Sequence, residues 1–196
     1  LIQDTQDVIA AGGSEATSSH FPEGDDLTAF APACHDVSEL RAPRVRLAVG
    51  CHPHNASHYD EALEAALLER LADPRVCAIG EIGLDYHYDL SPRDVQRDVF
   101  RRQLRLAHET GLPVALHIRE AHDEAFQILQ EEGLPKAGVL LHCFDLDWET
   151  LEPWVNAGCY VAFGGALTFK KADYTRDAAV RAPKSLLLTE TDSPYM

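Results

Sequence analysis

A chain of 196 residues with 45% apolar content is large enough to build one sizeable core, and none of its apolar runs approaches the length of a membrane span. Its formal charge of −15 at pH 7 excludes a surface that attracts nucleic acid over its whole extent, though not a local phosphate site held by bound cations and a few arginines. The five cysteines (Cys34, Cys51, Cys77, Cys143 and Cys159) are odd in number and lack C-x-x-C spacing, so a reduced, cytoplasmic setting is expected, with Cys77, Cys143 and Cys159 as small buried thiols.

Residues 1–44 read as irregular. Leu1 to Ala11 forms a short strand or helix that Gly12-Gly13-Ser14 breaks, and Ser14 to Asp26 has the composition of a loop. His20 and His35 are isolated and read as surface histidines. From Val45 a rhythm sets in. Val45 to Val49 is a strand leading into Cys51-His52-Pro53-His54. Ser57-x-x-Asp60 resembles a capping box that opens a helix carrying Leu63, Leu67 and Leu71 on one face. Val76 to Ile79 is a buried strand that closes at Gly80 and puts Glu81 just past its end.

Ser91-Pro92-Arg93-Asp94 starts a second helix, which Gly111 and Pro113 end. Val114 to Leu116 is a strand that delivers His117 and then Arg119. A third helix through Ile128 and Leu129 closes at Gly133. Gly138 to Leu141 delivers His142 and Cys143, and a fourth helix around Trp148 to Val155 closes at Gly158. Tyr160 to Phe163 is a strand, a short helix is expected near Ala178, and Leu186 to Leu188 leads to Glu190 and Asp192.

Strands and helices that alternate in this way predict a parallel α/β sheet, open or closed into a (β/α)₈ TIM-type barrel. His52, Glu81, His117, His142 and Asp192 all fall at or just past the C-terminal ends of different strands. Those ends form a single ring in a barrel, which favours the closed form. The expectation is one barrel domain over residues 1–196, incomplete at both ends, with 1–44 irregular.

Imidazoles and carboxylates on separate strand ends have the character of a divalent metal site, with Glu81, His117, His142 and Asp192 as ligands. A glutamate can bridge two ions, one per oxygen. The ion could be magnesium, manganese or zinc. Each residue also has an ordinary reading: strand-end histidines pack or cap, Asp192 can cap a helix before Ser193-Pro194, and Arg119 can pair on the surface. His52-Pro53-His54 either turns the chain or joins the site.

Five motifs carry a resemblance: C-H-P-H at Cys51 to His54, G-E-I-G-L-D-Y at Gly80 to Tyr86, P-V-A-L-H-I-R at Pro113 to Arg119, H-C-F at His142 to Phe144, and T-D-S-P-Y at Thr191 to Tyr195. Together they resemble the TatD-type metal-dependent deoxyribonucleases of the amidohydrolase superfamily. The resemblance implies a (β/α)₈ barrel, one or two divalent ions per chain and phosphodiester hydrolysis on DNA, with a monomer expected. It implies that Glu81 is a shared ligand, that His117 and His142 hold one ion, and that Asp192 is a ligand and orients or deprotonates the attacking water. Glu81 and Asp192 are then the catalytic pair, and His54, His52 and Arg119 face the substrate.

The family opens on a His-x-His strand, for which Asp4-Thr5-Gln6-Asp7 is the nearest echo here. That departure keeps two alternatives open. One is an esterase or deacylase using the same ions on a carbonyl, and the other is a binding protein with a decayed site.

Overall fold

The computed structural model describes residues 46–191. Readings that fall on residues 1–45 or 192–196 lie outside the described residues. These include the first strand or helix, His20, His35, the Asp4 to Asp7 echo and Asp192.

Six strands alternate with helices: β1 (Leu47–Val49), α1 (Glu61–Leu71), β2 (Val76–Asp85), α2 (Arg93–Thr110), β3 (Val114–Arg119), α3 (His122–Glu132), β4 (Val139–Leu141), α4 (Trp148–Asn156), β5 (Tyr160–Phe163), α5 (Asp173–Arg181) and β6 (Leu187–Thr189). Single 3₁₀ turns at Pro53–His58 and Gly165–Thr168 follow β1 and β5. All neighbouring strands pair in parallel, and the sheet order is β1-β2-β3-β4-β5-β6. A doubly wound sheet reverses its strand order at a switch point. No reversal occurs here, so the described sheet is an arc of a barrel, with every strand's C-terminal end on one rim.

The pattern of burial explains the elements. β3 buries Val114, Ala115 and Leu116 in succession, as a strand covered on both faces must. α2 buries Gln96, Val99, Phe100, Gln103, Leu104 and Ala107, a stripe at helical spacing that packs on the sheet, and Gly111 ends it in the left-handed conformation at φ 68°. Trp154 on α4 and Phe100 on α2 are the largest side chains fully enclosed in the core.

Three expectations shift. First, β2 does not close at Gly80 but runs through Glu81 to Asp85. Ile82 and Leu84 are both fully buried and pair with Leu116 and Ile118 of β3, and the register slips between Ile79 and Ile82. Glu81 therefore sits at a bulge inside a strand, a device that re-aims a side chain. Second, Ser57 does not cap α1. Asp60 is the cap, its Oδ1 accepting from Leu63 N at 2.8 Å, while the Ser57 N–H donates to Ser91 Oγ at 3.0 Å. Third, Cys77 is exposed, because it precedes Ile79, the first residue of β2 in register with β3. Cys51 and Cys159 are buried and Cys143 is half-buried.

Two buried glutamines tie the rim to α2. Gln96 Oε1 accepts from Asp85 N at 2.8 Å, and its Nε2 donates to the carbonyls of Asp85 (3.1 Å) and Ser91 (2.8 Å). Gln103 treats Cys51 alike, accepting from its N–H at 2.6 Å and donating to its carbonyl at 3.0 Å. Each amide serves the chain end as a neighbouring strand would.

Candidate metal centre

Glu81 stands at the middle of the rim. Its neighbour Gly80 is required by crowding, since a Cβ there would lie 2.8 Å from the Cβ of Ala115 on β3. Oε2 of Glu81 is 3.7 Å from His52 Nε2 and 3.6 Å from His117 Nδ1, and Oε1 is 3.5 Å from His142 Nε2. The histidines thus divide between the two carboxylate oxygens, with His117 and His142 facing different ones.

These spacings fit a bound ion. Nitrogen and oxygen ligands about 2.1 Å from a tetrahedral metal lie about 3.4 Å from one another. The donor types, imidazole nitrogen and carboxylate oxygen, are those of zinc or manganese sites. Donor atoms of His52, His54 and His117 all lie within 4.8 Å of one another, as do those of His142, Cys143 and Glu190.

Charge in the cluster is apportioned by burial and contact. Burial opposes ionisation of Glu81, yet the His117 ring 3.6 Å from one oxygen and the His142 ring 3.5 Å from the other hold its carboxyl below the ordinary range. Burial also opposes protonation of His117, but its hydrogen bond to Asp85 and the neighbouring Glu81 carboxylate raise it to about 9. For His52, burial and the neighbouring His117 and His54 act together and lower it to about 3, so this ring is neutral. A neutral imidazole is the form that binds a metal.

Two carboxylates that the sequence reading did not single out support this cluster. Asp85, fully buried, brings Oδ2 to 2.7 Å from His54 Nε2 and 2.9 Å from His117 Nε2, while Oδ1 accepts from the backbone N–H groups of His87 (3.0 Å) and Tyr88 (2.9 Å). Against the pull of burial, those bonds keep its carboxyl well below the usual range. Glu190 accepts from His142 Nδ1 at 2.7 Å and from the Cys143 N–H at 2.5 Å. Asp85 had a signal in the sequence, being four residues after Glu81 and of the same strand parity. Glu190 had only its place before Asp192.

Of the residues singled out from the sequence, His52, Glu81, His117 and His142 meet in one cluster, and His54 joins it through Asp85. Arg119 does not reach Glu81. It lies on the exposed rim with its guanidinium 5.0 Å over the ring of Tyr88, which in turn meets the His54 ring edge-on at 5.4 Å. The arginines of α2, by contrast, are spent on carboxylates: Arg93 on Asp89, Arg97 on Glu124, Arg101 on Glu131 and Glu132, Arg102 on Glu64 and Arg105 on Glu132.

The family model described as TatD related DNase matches residues 5–196. An uncharacterized metal-dependent hydrolase, YcfH of Escherichia coli (strain K12), is 38% identical over 196 residues, which is all of this chain and 72% of that protein. The 3'-5' ssDNA/RNA exonuclease TatD of Shigella flexneri is 39% identical over 149 residues, 75% of this chain and 57% of the relative. The crystal structure of YjjV, a TatD homologue from Escherichia coli, superposes with a TM-score of 0.70 at 34% identity, covering 81% of this chain and 61% of the other. The chain therefore spans about three-fifths of that solved structure. Six parallel strands in sequential order, a glutamate ringed by histidines on their common rim, and a match from residue 5 to residue 196 agree: this chain belongs to the family of TatD-related DNases.

Proposed function

We propose that the chain hydrolyses phosphodiester bonds of single-stranded DNA, using one or two divalent ions, with manganese, magnesium or zinc as the candidates. The observation that carries this reading is the division of histidines between the two oxygens of Glu81, the arrangement a bridging carboxylate needs. The exonuclease name of the Shigella relative supports the choice of substrate.

In this reading Glu81 is the shared ligand, His117 and His142 each offer a ring nitrogen, and Asp192 takes the proton of the attacking water. A bound divalent ion lowers the pKa of water and offsets charge on a phosphoryl oxygen. The remaining work falls to the protein. Glu190 holds the His142 ring by Nδ1 and so keeps Nε2 turned to Glu81. His54, His52 and Arg119 meet the phosphate and its leaving group, and Tyr88 sits beside Arg119 where a base would stack. The whole is read as a single barrel domain, acting as a cytoplasmic monomer. No described helix is long and apolar enough to cross a membrane.

A second reading, an esterase or deacylase on the same cluster, is favoured by the acidic charge and by the neutralised arginines of α2. One assay separates them. Manganese-loaded protein should release nucleotides from end-labelled single-stranded DNA, and chelator or Glu81→Ala should abolish the release. Intact DNA together with cleavage of an aryl ester or an acetylated amine would establish the second reading. No turnover of either, with metal bound, would point to a binding protein.

A further inference from the structure

We propose that Asp85 is a positioning residue that ties the metal-holding His117 to the substrate-facing His54 through one shared carboxylate oxygen. The inference rests on the roles given above to those two histidines. Its geometry is independent of them. Asp85 Oδ2 lies 2.7 Å from His54 Nε2 and 2.9 Å from His117 Nε2. An ionised carboxylate only accepts hydrogen bonds, so both rings must carry their proton on Nε2. That protonation leaves Nδ1 of His117 as the nitrogen presented to Glu81, 3.6 Å away.

The carboxylate cannot turn away from this task. Its other oxygen is held by two backbone N–H groups, and its main chain is held in both directions by the buried amide of Gln96. The side chain is 0% exposed, so water does not stand in for either ring. On the far side of His54, Ser91 Oγ donates to the His54 carbonyl at 2.9 Å, so the main chain that carries the ring is fixed as well. A carboxylate tied at both oxygens, on a main chain held at both N and O, transmits displacement from one ring to the other. Loading the His117 side with metal therefore sets the position of His54, and the reverse follows by linkage.

Three measurements test this. In metal-free wild-type protein labelled with ¹⁵N, the His54 and His117 rings, assigned by single substitutions, should each show a protonated Nε2 whose hydrogen exchanges slowly. Protonation at Nδ1 alone in either ring would overturn the proposal without any variant having to fold. Second, Asp85→Asn should weaken manganese binding, measured calorimetrically, by roughly 10- to 100-fold, the usual loss when a ligand's outer partner is removed. Asp85→Asn added to His117→Ala should cause no further loss.

Third, affinity for a single-stranded oligonucleotide under chelator, where no turnover occurs, should fall equally in Asp85→Asn, in His54→Ala and in the pair. Additive losses in both cycles, or an unchanged manganese affinity, would overturn the link. The metal arm stands even if the chain proves not to act on DNA. An oligonucleotide that binds neither wild type nor variants, with the metal cycle non-additive, would reject the DNA reading and leave Asp85 as the orienter of His117.

Discussion

His122 shows what burial does to a single titratable group. It opens α3, is 9% exposed, packs edge-on against Phe144 and Trp154, and its Nδ1 has no hydrogen-bond partner among the described residues. Burial lowers it to about 4, and a helix N-terminus disfavours a cation in the same sense. The unfolded chain takes up this proton below about pH 6.5. The folded one resists until about pH 4. Stability contributed by the neutral ring is thus fully present above about 6.5 and lost as pH falls towards 4, a change of about 3 kcal/mol. Denaturant melts across that window should show the loss in wild type and a flatter profile in His122→Leu. Equal slopes would mean the ring is hydrated or paired in solution. The histidines at the rim were legible for a different reason. His117 and His142 each follow an apolar run directly, so the strand announces where they point. Asp85 and Glu190 escaped notice because they act on other side chains. Strand parity with Glu81 hinted at where Asp85 points, but their partners stand 31, 32 and 48 residues away, and the pairings themselves leave no local trace.

Among elements, the alternation of strands and helices could be read because each strand is a short apolar run closed by glycine, proline or a polar residue. Where a strand ends was less legible. β2 continues past Gly80 because β3 lies alongside to pair with it, and only the fold supplies that partner. The closeness of the two strands yields a prediction. Gly83 has φ 144°, and a Cβ there would lie 2.1 Å from the carbonyl oxygen of His117. Gly83→Ala should lose at least about 3 kcal/mol in urea melts of metal-free protein, from backbone strain plus the forced parting of β2 and β3. A loss below about 1 kcal/mol would show that the strands separate easily. The buried amide of Gln96 gives a second prediction. Gln96→Leu removes both main-chain partners of Asp85 seen here and should cost about 2–4 kcal/mol. Gln96→Glu should recover little of it, because a carboxylate accepts from Asp85 N but donates to neither carbonyl. A glutamate variant as stable as wild type would remove the argument.

For the whole molecule, the decisive quantity is net charge set against its placement. At −15 the chain repels phosphate at long range, and the arginines of α2 are already matched by neighbouring carboxylates. Substrate should be held by contacts made at the rim, with little electrostatic steering towards it. Raising monovalent salt from about 20 to about 150 mM should therefore leave kcat/KM on single-stranded DNA flat or raise it, because screening weakens the repulsion. A fall of more than about tenfold would reveal a basic track along the surface. The family's motifs made the barrel recognisable, yet no motif reveals how its loops are spaced. Gln96 and Gln103, seven residues apart on one helix, each grip the chain end of a different strand. Two helical turns span about 10 Å, so α2 works as a gauge block between the loops after β1 and β2. A one-residue insertion between the two glutamines would swing one amide about 100° off the rim while leaving every exposed side chain plausible. Homologues are then free to rewrite the outer face of this helix and to lengthen the turns beyond it, but the seven-residue interval inside it has no slack.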